Sequence, residues 1–191
     1  MLFRSLLISM LIVLLSAFLL GCGDEVPQQA IDEAKAELDA AKTAGADRYV
    51  PDMYNTANKS YQDAMAIVEK EKEATFSSYD EALPLLQAAK EGAMNAKNAV
   101  EGAKEKVKAE IEGLLAQIPE EIKAARMAWK KAPRGKGTRE PLAMMKQEID
   151  DAEASVAAIN TTMESGDYLA ARQQAQQLIS KIKQLQSELQ Q

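Results

Sequence analysis

The chain has 191 residues, 47% of them hydrophobic but only 5% aromatic, with 23 Lys and Arg against 29 Asp and Glu. One Cys and no His exclude the usual zinc sets, Ser-His and Cys-His catalysis, an imidazole proton switch and any intrachain disulfide. The acidic balance excludes nucleic acid as a partner, and the abundance of Ala, Glu, Lys, Gln and Leu predicts an all-α chain with a thin, close-packed core.

Residues 1–21 have the order of an export signal: Arg4 supplies a positive start, and Leu6 to Leu20 is apolar apart from Ser9 and Ser16. That run is about 15 residues, short of the roughly 20 needed to span a bilayer core. It ends in Leu19-Leu20-Gly21-Cys22, which resembles the bacterial lipobox. The resemblance implies cleavage between Gly21 and Cys22, lipid on the Cys22 sulfur, and a mature chain held to a membrane by that lipid. At roughly 0.8 kcal/mol per buried methylene, two or three acyl chains hold firmly where one holds only marginally. Gly23 stands where an Asp would favour the inner membrane, so in a two-membrane cell the expected address is the outer membrane, facing the periplasm.

Without Arg4 the bases fall to 22 against 29 acids, a net charge of −7. The charge is uneven, with 18 acids and 11 bases in residues 24–110 and 11 of each in residues 111–191. After a linker at 22–27, a first helix is predicted near 28–44, with Ile31, Ala34, Leu38 and Ala41 at steps of three and four and a stop at Gly45. A second begins near Pro51, suited to a first helical turn, and carries Tyr54, Ala57, Tyr61, Ala64 and Val68. Ser78 and Glu81 have the spacing of a capping box for a third helix, although Pro84 would move its start later.

From Leu86 one apolar stripe continues through Ala89, Ala93, Ala96, Val100, Ala103, Val107, Ile111, Leu114, Ile118, Ile122 and Ala125 to Trp129 without losing phase. That continuity favours one helix kinked at Pro119 over a new helix starting there. From 79 to 131 it would be about 80 Å long at 1.5 Å per residue. A fourth stretch carries Leu142, Met145, Ile149, Ala152, Val156, Ile159 and Met163. A fifth carries Tyr168, Ala171, Ala175, Leu178, Ile182, Leu185 and Leu189, with Gly166 as the stop and Asp167 as the N-cap between the two.

A shift of about 89 residues lays Pro51 near Pro141, Tyr79 on Tyr168 and Ala82 on Ala171, and repeats the order of helices and turns. The expected fold is an elongated antiparallel helical bundle of two three-helix units, 28–110 and 111–191, sharing the long helix. The run Gly45-Ala46-Asp47-Arg48-Tyr49-Val50-Pro51, with Tyr54, Ala57 and Tyr79-Asp80-Glu81-Ala82, resembles Ala-rich helical envelope lipoproteins of a domain-of-unknown-function family. That resemblance implies an envelope location and no chemistry.

No P-loop, nucleophile elbow or metal-ligand spacing is present, and no cofactor or catalytic residue is expected. Asp150-Asp151-Glu153 and Glu120-Glu121 leave open an acid-base role on a wall glycan, against the plainer reading as solubilising helix faces. The five tyrosines, Tyr49, Tyr54, Tyr61, Tyr79 and Tyr168, read as core packing.

The outstanding charge concentration is Arg126, Lys130, Lys131, Arg134, Lys136 and Arg139 around Trp129 and the turn Pro133-Arg134-Gly135-Lys136-Gly137, with no acid before Glu140. Bases gather at helix C-termini to meet the partial negative charge there, which is the favoured reading of the cluster. Arg134 to Arg139 lie beyond the helix and need another reason, for which anionic lipid, a wall polymer or an acidic face of an envelope protein are the candidate contacts. The expected function is a membrane-tethered, non-enzymatic helical spacer or adaptor of the cell envelope. The alternatives are a periplasmic ligand-binding or chaperone-like lipoprotein, for which the seven Met residues after Met10 are the motive, and a wall-acting enzyme.

Overall fold

The computed structural model describes residues 24–190, so the signal at 1–21, Gly21 and Cys22 lie outside the described residues. The described chain is all α-helical: α1 Gln28–Ala44, α2 Ala46–Tyr49, α3 Pro51–Lys72, α4 Ala82–Lys131, α5 Arg139–Glu164 and α6 Tyr168–Glu188. They form two units that share α4, each with three long helices and the first with the one-turn α2 besides, the first ending at Val100 and the second beginning at Glu101. None of these helices is long and apolar enough to cross a membrane.

In the first unit α1 buries Ile31, Ala34, Leu38 and Ala41, the stripe expected from spacing. It stops at Gly45, whose φ of 95° is a left-handed conformation that closes the helix by placing the Gly45 amide on the Ala41 and Lys42 carbonyls. One turn of helix, α2, then buries Ala46, and Pro51 opens α3. Two apolar clusters fix the register. Ile31 and Ala34 meet Ala64 and Val68 with Tyr79, Ala82, Leu86 and Ala89, while Leu38, Ala41 and Ala46 meet Ala57 with Ala93, Ala96 and Val100. Residue numbers rise together along α1 and α4 and fall along α3, so the unit runs up, down, up.

Ion pairs repeat that register on the surface, with Lys90 to Glu33 and Lys97 to Glu37 both at 2.7 Å. Tyr79 is buried, and Tyr49, Tyr54 and Tyr61 pack against the clusters, Tyr61 against both. Their rings fill the space a small-residue stripe leaves open.

The expected capping box does not form. Helix α4 starts at Ala82, four residues after Ser78, and the Ser78 amide donates instead to a Glu71 carboxylate oxygen at 3.2 Å. The cause is Pro84. Its missing N–H is harmless only in a first turn, so the helix begins just ahead of it. Further along, α4 passes Pro119 without interruption and ends at Lys131.

The second unit has the same order. Its apolar positions are Val107, Ile111, Ile118, Ile122 and Ala125 on α4, Ile149, Ala152 and Ile159 on α5, and Ala171, Ala175, Leu178, Ile179, Ile182 and Leu185 on α6. Arg172 meets Glu110 at 2.8 Å, and Lys183 and Gln186 meet Glu121 at 3.5 and 2.9 Å, so α6 runs along α4. Lys181 on Glu148 and Arg126 on Asp150 and Glu153 set α5 against both. Between α5 and α6, Gly166 has φ 85° and the Asp167 carboxylate accepts from the Ala170 amide at 3.4 Å, the stop and cap expected there. The Lys108 ammonium lies 5.7 Å from the Tyr168 ring centroid.

Three glycines lie inside α4. A Cβ on Gly92 would stand 3.0 Å from the Ala57 Cβ, whereas Gly102 and Gly113 face open space. Glycine inside a helix costs about 0.5–1 kcal/mol relative to alanine. Gly102→Ala and Gly113→Ala are therefore expected to stabilise the protein by about that much each, whereas Gly92→Leu should destabilise it by about 1–3 kcal/mol by forcing α3 away. Denaturant midpoints of the three variants check this ordering.

Candidate functional site

The basic turn is held by contacts between the end of α4 and the start of α5. Trp129 is half-buried, and its indole N–H donates to the Leu142 carbonyl at 2.7 Å, which ties the last turns of α4 to the first turn of α5. Arg134 lies over the same ring with its guanidinium carbon 4.9 Å from the centroid, a cation–π contact that gives this residue, beyond the helix, a fixed place. Within the turn, the Gly135 amide donates to the Thr138 hydroxyl at 2.8 Å and Gly137 has φ 99°. That backbone conformation suits glycine and keeps Lys136 on a tight bend.

Beside the indole, Arg126, Trp129, Lys130, Lys146, Ile149 and Asp150 line a notch of about 210 Å³. It is smaller than the roughly 300–1,000 Å³ of drug-sized ligand sites, so it fits one side chain or one small group of a larger partner. Its polar edge is internally balanced. Arg126 donates to Asp150 at 3.1 Å and to Glu153 at 2.6 Å, and Lys146 donates to Asp150 at 2.7 Å. The Lys146 bond, reinforced by Arg126, holds the Asp150 carboxyl below its ordinary value, and the Asp150 and Glu153 bonds hold Arg126 above its own.

The remaining cations of the cluster are different. Among the described residues Lys130, Lys131, Lys136 and Arg139 are exposed without a carboxylate partner, and Arg134 has only the indole. Elsewhere in the second unit Lys104, Lys108, Lys123, Arg126, Lys146, Arg172, Lys181 and Lys183 are all paired, with Lys106 the exception. Lys130 and Lys131 lie in the last turn of α4, where cations complement the helix dipole. Arg139 is the first residue of α5, at the positive end of a helix, where a cation gains nothing locally.

The structure thus brings Arg126, Trp129, Lys130 and Arg134 together, places Lys131 beside Met127, Pro133 and Leu189, and leaves Lys136 and Arg139 on the turn and its exit. Sequence reasoning missed Lys146, Ile149 and Asp150 as partners of Trp129. Their signal is the position of Ile149 on the α5 stripe and the four-residue spacing of Lys146 and Asp150.

The carboxylates weighed as acid and base are engaged on helix surfaces: Glu120 with Lys123, Glu121 with Lys183 and Gln186, Asp151 with Gln147, and Asp150 and Glu153 with Arg126. Among the described residues no group of three or more His, Cys, Asp or Glu could hold a metal ion. No protein-family model, curated protein or solved structure matches the chain.

The perturbed carboxyls set a direction for pH dependence. Glu33 is held below its ordinary value of 4.5, chiefly by the bond from Lys90, and Asp150 below 3.8, chiefly by Lys146. A depressed carboxyl contributes stability that is present above its unfolded-state value and lost as pH falls through the folded one. These pairs are exposed, so each effect is small. Asp150→Asn should lower the melting midpoint slightly at pH 7, and the gap to the wild type should close as pH falls below about 3.8. Melting curves over pH 7 to 3 check this; a gap that widens on acidification contradicts it.

Proposed function

We propose that this chain is a lipid-anchored envelope lipoprotein whose helical domain acts as a spacer or adaptor, presenting the basic turn after α4 to an anionic envelope partner. The observation that carries the reading is the unpaired charge. Among the described residues, five cations from Lys130 to Arg139 have no carboxylate partner, in a unit whose other cations, Lys106 aside, are paired. Clustered like charge repels itself, and it is relieved when an anion binds.

Two further features support the reading. The tetrad Leu19-Leu20-Gly21-Cys22 supplies the anchor. A helix of 50 residues, α4, belongs to both units and is the element on which a spacer would be built. The notch beside Trp129 adds an apolar foothold next to the cations, which gives the contact more selectivity than charge alone.

Replacing Arg134, Lys136 and Arg139 with Gln should leave helicity unchanged while weakening retention of the purified domain on anionic cell-wall material. Retention of the wild type should fall as salt shortens the screening length, about 8 Å at physiological ionic strength. Equal retention of both proteins, or retention indifferent to salt, would return the cluster to helix-end compensation. Binding of an acidic envelope protein with no binding of wall material would keep the surface and change the partner.

A further inference from the structure

Phe76 is the most exposed large apolar side chain among the described residues, 74% accessible, in the turn between α3 and α4. An isolated exposed aromatic needs no explanation of its own. Its neighbours give this one a position. The Asp24 amide donates to the Ser77 carbonyl at 3.1 Å, and the Ser77 hydroxyl donates to the Asp24 carbonyl at 3.4 Å. Val26 packs against the cluster of Ile31, Val68, Tyr79 and Leu86. The beginning of the described chain is thus pinned to the same turn that exposes Phe76.

Cys22 is two residues before Asp24. Summing extended geometry through those residues and the Asp24–Ser77 bond, the Cα atoms of Cys22 and Phe76 are separated by no more than roughly 18 Å. We infer that the Phe76 turn is the face the first unit lays on the bilayer carrying its anchor, with the Phe76 ring seated in the headgroup and upper acyl region. This placement rests on the lipid at Cys22. The occupant follows from the chain itself, because acyl chains two residues from Asp24 bring lipid to this turn. In the turn and the chain start Asp24, Glu25, Glu73, Asp80 and Glu81 are exposed, while the nearby Lys72 pairs with Glu69 and Lys70 lies beside Glu71, so negative charge predominates. Attraction to anionic headgroups therefore does not seat this face, and the apolar ring is what it offers the bilayer beside the acyl anchor.

The contact gives a lipid-anchored domain something the acyl chains lack. A flexible tether fixes distance but leaves orientation free, whereas a tether plus an aromatic contact on the same turn fixes which end of the first unit faces the bilayer.

The test uses the full mature lipoprotein in phosphatidylcholine vesicles whose acyl chains carry bromine. With the Cys22 thiol consumed by lipid, Thr75→Cys, exposed beside the intact Phe76 ring, provides one reactive thiol for a polarity-sensitive fluorophore. Met53→Cys, exposed in the first turn of α3 and about 28 Å away along that helix, is the control. The label at 75 should be blue-shifted and quenched several-fold more than the label at 53, with no loss in high salt.

Adding Phe76→Ser isolates the ring: the label at 75 should then lose most of its quenching, with helicity unchanged. The acyl mass on the N-terminal peptide is measured in the same samples. Its absence overturns the anchor and this placement together. Its presence with equal quenching at 75 and 53, with quenching abolished by salt, or with a label at 75 indifferent to Phe76→Ser, overturns the placement alone.

Discussion

Everything else in the fold depends on the buried stripe of α4 keeping phase through 50 residues. One helix serves as the third member of one bundle and the first member of the next. Inward positions therefore recur every three or four residues from Leu86 to Ala125, buried except at the half-buried Ala103 and Leu114. The stripe changes character on the way. In the first unit it is mostly alanine, Ala89, Ala93 and Ala96, and Gly92 lets the Ala57 side chain of α3 approach closely. In the second it is Val107, Ile111, Ile118 and Ile122. Small residues bury little area apiece and stabilise by allowing close backbone approach, whereas the branched ones contribute area, at about 25 cal/mol per Å².

That stripe explains why Pro119 does not end the helix. Proline removes the bond its amide would give to the Leu115 carbonyl and crowds that turn, a cost of about 3 kcal/mol in a helix interior. Ile118 and Ile122 flank it and are 1% and 5% accessible, so a break there would pull two fully packed side chains out of the second unit. Burying such side chains is worth about 1.5–3 kcal/mol each, enough to hold the helix through the proline.

Most of this was legible in the sequence because it is periodic or made by residues with one strong local preference. The stripes of α1, α5 and α6, the stops at Gly45 and Gly166 and the cap at Asp167 follow from spacing and backbone chemistry. What was not legible depends on which surfaces meet. Ser78 and Glu81 have the capping-box spacing, yet Pro84 sets the helix start and Glu71 takes the Ser78 amide. The cluster from Arg126 to Arg139 was visible as charge. That Arg126 is neutralised from α5, and that Trp129 shares a notch with Lys146 and Ile149, required the register between two helices. Phe76 stood in the sequence as a lone aromatic, and its meaning came only from the Asp24 bonds to the same turn.

The central claim, that one uninterrupted helix carries the stripe past Pro119, is open to a single distance. In a Cys22→Ser background, spin labels at Lys106→Cys and Met127→Cys bracket the proline on exposed positions of the second unit. A continuous helix separates these backbone positions by about 32 Å, 21 steps of 1.5 Å. A distribution centred near that value is the expected result, and one centred below about 20 Å, as a hairpin at Pro119 would give, contradicts the account.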